Sequence, residues 1–124
     1  MPINNRGLYG QPVLPYTDNR IYAGSDVFVD YTFLDHTALP VTPASANYRL
    51  DDITNVASMI PITTFSPVSS TFTLQIPGAK MVFTYPSVGQ GSQICQLVTT
   101  AVLPDGSAVQ KVDIIEIIAI QTPN

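Results

Sequence analysis

Residues 93–121 limit the possible folds more than any other part of the chain. They form two apolar stretches joined by Leu103-Pro104-Asp105-Gly106, where proline presets φ and glycine supplies a left-handed position. A hairpin over 93–103 and 108–120 is expected. In its second strand a period of two places Ile115, Ile117 and Ala119 on one face, and Val112, Ile114, Glu116, Ile118 and Ile120 on the other. One face can fill the domain's own core. The other is too apolar for water and needs a cover: a second sheet, an N-terminal arm or another protein chain.

At 124 residues the chain has room for one domain with an adequate core and for no second one. Charged residues make up 11% of it against a usual share of about 25%, so charge keeps little of the surface wet. An assembled state is favoured over a free one. The basic residues Arg6, Arg20, Arg49, Lys80 and Lys111 are scattered and the net charge is −4, which argues against nucleic-acid binding. Cys95 has no second cysteine to pair with and lies in an apolar run, the setting of a small core residue. The stretch after Met1 is polar and does not resemble a signal peptide, so synthesis in a cytoplasm is expected. The Ile-rich segment 112–120 is too short for a membrane-spanning helix and carries Asp113 and Glu116; no membrane partner is expected.

Residues 1–19 read as an extended N-terminal arm, with Gly7, Gly10, Pro12 and Pro15 separating Leu8, Tyr9, Val13, Leu14 and Tyr16. Residues 20–124 read as strands punctuated by Pro and Gly, with no helical period over three turns. Strands are expected at 20–23, 26–34, 47–50, 56–64, 71–76 and in the final hairpin. Over 26–34, Val27, Val29, Tyr31 and Phe33 share one face. Pro61 makes the fourth piece an edge or kinked strand, and Phe72, Leu74 and Ile76 should face inward. Met81-Val82-Phe83 is ambiguous between a short strand and a loop. About seven strands at this spacing point to a single antiparallel β-sandwich.

Five motifs in order carry a family resemblance: Val29-Asp30-Tyr31-Thr32-Phe33-Leu34-Asp35, Leu39-Pro40-Val41-Thr42-Pro43, Asn47-Tyr48-Arg49-Leu50-Asp51-Asp52, Thr71–Ile76 and Leu103-Pro104-Asp105-Gly106. Their succession resembles the immunoglobulin-like domains of tailed-bacteriophage virion proteins. The resemblance covers most of the chain and implies an immunoglobulin-like β-sandwich without catalytic machinery, serving as capsid decoration, cement or a minor capsid component. It further implies localisation in the virion and a major capsid or other virion protein as partner. The chain lacks the Trp and the cysteine pair of antibody-type domains, so no binding residues are carried over.

His36 beside Asp35 is the only imidazole, and a zinc site needs three or four N or S donors; a solvated turn is the better reading. Asp35, Asp51 and Asp52 lack the spacing of a calcium loop and suit hydrogen bonds to their own turns. Gly89-Gln90-Gly91-Ser92 lacks the Lys-Ser/Thr of a phosphate loop, and no helix is expected after it. The tyrosines at 9, 16, 22, 31, 48 and 85 suit core or interface packing better than a glycan platform. No cofactor, metal or enzymatic activity is expected. The expected function is structural, through protein contacts made by Leu8, Tyr9, Val13, Leu14 and Tyr16 of the arm and by Val112, Ile114, Ile118 and Ile120 of the last strand, with homo-oligomerisation expected as well. The rival is a tail or baseplate adhesion module holding a host glycan or protein with loops 35–46 and 77–92.

Overall fold

The computed structural model describes residues 8–13, 20–86 and 91–119, the first of these segments as backbone. The described strands are β1 (Leu8–Val13), β2 (Arg20–Tyr22), β3 (Val27–Phe33), β4 (Ser45–Asp52), β5 (Ala57–Phe65), β6 (Thr71–Ile76), β7 (Ser92–Val102) and β8 (Ala108–Ile118). They form two sheets, one ordered β1-β3-β6 and one ordered β2-β8-β7-β4-β5. The fold is all-β and sandwich-like. All pairings are antiparallel except that of β2 with β8, which is parallel through Ile21 and Ile117 and corrects the expectation of a purely antiparallel sandwich. A parallel neighbour is possible because β2 reaches β8 from across the sandwich rather than through a hairpin.

Alternation explains which side chains meet between the sheets. Val27, Val29, Tyr31 and Phe33 of β3 are buried and the residues between them exposed. They face Leu50 of β4, Leu97 of the β7 core row and Ile115 and Ile117 of β8 within one hydrophobic core. Phe65 of β5 stacks on Phe72 of β6 at 4.9 Å and on Tyr31 at 6.3 Å, tying one side of the sandwich shut. β5 is an edge strand whose register with β4 breaks around Pro61, as a residue without an N–H requires.

The final hairpin turns at Leu103, whose carbonyl accepts the Gly106 N–H at 2.9 Å, with Gly106 at φ 89°. Asp105 Oδ1 fastens the turn by accepting from the Ser107 amide and hydroxyl. Met81-Val82-Phe83 is not a strand: the chain makes a 3-10 turn at Gly78–Lys80 and drops the Met81 side chain into the core. The segment expected as an extended arm contributes β1, the strand beside β3, with Leu8 opposite Phe33 and Val13 opposite Phe28. β1 also approaches β8 and so closes the side of the sandwich opposite Phe65 and Phe72.

Candidate protein interface

The core row of β8 alternates with an outward row of Val112, Ile114, Glu116 and Ile118. Across β7, Val112 lies opposite Val98, Ile114 opposite Gln96 and Glu116 opposite Ile94; across β2, Ile118 lies opposite Tyr22. These side chains share the outer face of the five-stranded sheet. Ile114 is 48% exposed and Tyr22 42%. Val98 is buried yet stands outside the core cluster, so its neighbours on the outer face pack over it. On the flank, Arg49 Nε donates to Asp51 Oδ2 at 3.0 Å, and Arg49 sits opposite Val98. The face is thus mainly apolar, with Gln96 and Glu116 set among its apolar side chains and Arg49 and Asp51 on its flank, a mixture common in protein contact surfaces.

Of the residues expected at an interface, Val112, Ile114 and Ile118 therefore share one face, while Ile120, Leu14 and Tyr16 lie outside the described residues. Leu8, Tyr9 and Val13 fall in β1, on the other sheet, with side chains outside the described residues. Ile94 and Val98, not singled out from sequence, complete the face together with Tyr22, one of the tyrosines expected in a core or an interface. The signal was there for β7, since Ile94 and Val98 alternate with Cys95 and Leu97 and make β7, like β8, apolar on both sides.

The carboxylates considered for a metal are not brought together. Asp35 Oδ1 accepts from the Thr37 hydroxyl and amide and from the Leu39 amide, and these bonds hold its carboxyl below the usual range. Asp51 faces out to Arg49, whereas Asp52 faces in, where burial raises its carboxyl but hydrogen bonds together, that of the Asn55 amide foremost, hold it below its ordinary value. Among the described residues no group of three or more His, Cys, Asp or Glu is placed to hold a metal ion. His36 lies 3.9 Å from Asp105, both exposed, at loop tips of one end. Tyr31 and Tyr48 are core residues, so they offer no ring to a sugar.

Because Val27 pairs with Ile76 while Thr32 pairs with Thr71, the loop after β3 and the loop after β6 leave opposite ends of the sheet. The described parts of the two loops, 35–44 and 77–86, thus leave the sandwich at opposite ends and do not converge on one small ligand.

Cys95 is fully buried beside Met59 and Gln93. Burial pushes its thiol up to about 11, from an ordinary 9.0, against a lowering hydrogen bond from Gln93. Deprotonation is thus penalised in the folded chain, so this contribution to stability is present below pH 9 and is lost as pH rises toward about 11. At about pH 8 an aromatic disulfide reagent is expected to leave the native thiol intact and to modify it fully in urea; equal rates in both states would refute the buried placement.

No helix among the described residues is long and apolar enough to cross a membrane. The sequence matches no protein-family model and no curated protein.

Proposed function

We propose that this chain is a non-enzymatic structural module, an immunoglobulin-like domain of a tailed-phage particle that acts through protein–protein contacts as capsid decoration, cement or minor capsid component. The observation that carries the contact part of the reading is the apolar outer face of the five-stranded sheet, where Ile114 and Tyr22 stand exposed beside Val112, Ile118, Ile94 and Val98. A sheet covered by its own core on one side has no internal use for a second apolar side. The low share of charge across the whole chain supports the same reading. The assignment to a phage particle rests on the resemblance of the motif order.

Ile114 is the cleanest handle on this face because its side chain already meets solvent. Ile114→Asp is expected to leave the melting temperature nearly unchanged and to weaken association, by desolvating a charge in the contact. Light scattering over a concentration series, alone and with purified tailed-phage capsid shells, reads this directly. Oligomers or shell binding in the parent chain that fall away in the variant support the face as the contact. Equal association of both excludes the face, and a parent chain that stays monomeric and ignores shells overturns the structural-component reading. Deleting residues 1–19 is a poorer test, since it also strips β1 from β3.

A further inference from the structure

Among the described strands the two sheets end at β1, β6, β2 and β5, and three of these edges carry features that hinder pairing with a further strand. β1 contains Gly10 and Pro12. β2 has three residues and opens on Arg20. β5 contains Pro61 and a break in register. Short length, charge, proline and irregularity are how β-proteins protect their edges. β6, Thr71-Phe72-Thr73-Leu74-Gln75-Ile76, has none of them: it lacks proline, glycine and charge and runs unbroken along β3. Six uncharged residues of high β-propensity are the composition of a segment that pairs with its own kind.

Which backbone groups the edge offers follows from the ladder. The Phe33 N–H donates to the Ser70 carbonyl at 2.8 Å, which makes that pair a hydrogen-bonded one. By alternation Phe72, Leu74 and Ile76 turn their backbone groups to β3, and Thr71, Thr73 and Gln75 turn theirs away. Ser69 Oγ engages both backbone groups of Thr71, at 2.8 Å to the carbonyl and 3.3 Å to the amide, and so marks the outer end of the open edge. The Thr73 hydroxyl is held by Asp30 at 2.6 Å, which leaves the Thr73 backbone as the edge's presented group.

We propose that β6 pairs antiparallel with β6 of a second copy of this chain, across a twofold axis at Thr73. The strand's own symmetry selects this occupant. Polar residues at 71, 73 and 75 and apolar residues at 72 and 74 repeat in mirror order about Thr73. The twofold then sets Thr73 against Thr73, Thr71 against Gln75 and Phe72 against Leu74. The first is a hydrogen-bonded pair of outward backbone groups; the second is hydrogen-bonded once the Ser69 hydroxyl gives up the Thr71 amide, which it accepts at 3.3 Å, while the Thr71 carbonyl keeps a second lone pair for the incoming strand. The third brings the half-buried Phe72 ring against an aliphatic partner on the core side. No like charges meet, because the strand has none. Two three-stranded sheets become one continuous sheet, an isologous contact that closes on itself. The inference is independent of the outer face proposed above, which belongs to the other sheet.

Amide exchange of the full chain over a concentration series separates the two contacts. Exchange at Thr73 and Gln75 is expected to slow as the dimer forms, while Phe72 and Leu74, already bonded to β3, serve as the unchanged reference. Gln75→Pro removes an outward N–H and no ladder bond, and is expected to weaken dimerisation about tenfold to a hundredfold, two symmetry-related hydrogen bonds being lost. Gln75→Ala, which keeps the N–H, should dimerise like the parent. Association without protection at Thr73 and Gln75, equal dimerisation of the Pro and Ala variants, or a parent chain monomeric throughout would each overturn the proposal. If Gln75→Pro fails to fold, the exchange result on the parent chain decides.

Discussion

Replacing Lys111 by Met while Asp113 stays is expected to destabilise the fold by about 3–5 kcal/mol at neutral pH, the cost of leaving a buried charge without its partner. Lys111 and Asp113 are 2% and 8% exposed, stand two residues apart on the core side of β8 and are joined by a hydrogen-bonded ion pair. Burial raises the Asp113 carboxyl above its ordinary value and Lys111 opposes that rise. Asp113 Oδ2 has no hydrogen-bond partner. Without the ammonium group only desolvation remains, so the folded-state value climbs further. A carboxyl raised on folding contributes stability below its unfolded value near pH 4 and loses it as pH rises, so Lys111→Met should recover part of its deficit in acid. Asp113→Leu alone should cost as much, since it strands the ammonium. The double replacement Lys111→Met with Asp113→Leu should return to within about 1 kcal/mol of the parent or exceed it. Urea unfolding of the four chains near pH 4 and pH 7 checks the cycle. Single variants losing under about 1 kcal/mol would mean that water reaches the pair.

Gly78→Ala is expected to cost about 3 kcal/mol, at the upper end for overpacking, because the obstacle is main chain rather than a movable side chain. A Cβ at Gly78 would lie 2.0 Å from the Gly24 carbonyl oxygen and 2.7 Å from its carbon. The two turns are also bound to each other. The Gly78 N–H donates to Asp26 Oδ1 at 2.6 Å, and the Gly24 N–H donates to the Met81 carbonyl at 2.8 Å. Moving them apart to admit a methyl group breaks both bonds and lifts Met81 from the core. Gly24→Ala is the useful contrast: its Cβ meets nothing within 4 Å, and only its φ of +88° resists a side chain. That change should cost about 1 kcal/mol. Denaturant unfolding that ranked the two in reverse would refute the contact as the dominant effect.

Much of the architecture was legible because strand faces repeat every two residues. Thr71–Ile76 lies where its alternation puts it, β3 buries the four residues expected, and the hairpin turns on Pro104 and Gly106. The outer row of β8 was legible for the same reason. Met81 is ambiguous in the sequence because local composition cannot distinguish a side chain plugging the end of a sandwich from one in a ladder. The pairing of β2 with β8 joins residues far apart in sequence and leaves no local mark. Most of the expected arm contacts, at Leu14, Tyr16 and the side chains of β1, fall outside the described residues.

The sequence by itself determined the strands, their inward faces and the turn of the last hairpin, since period, proline and left-handed glycine act within a few bonds of the residues that carry them. It also determined that one strand would be apolar on both sides. Only the tertiary structure decided that Lys111 and Asp113 lie inside with Ile115 and Ile117, because charge argues for solvent until a partner is close enough to offset desolvation. It alone decided that two loops of suitable composition leave the sandwich at opposite ends and that β6 stands at an edge among the described strands. Both are properties of which strands become neighbours, and that depends on packing the whole chain around one core.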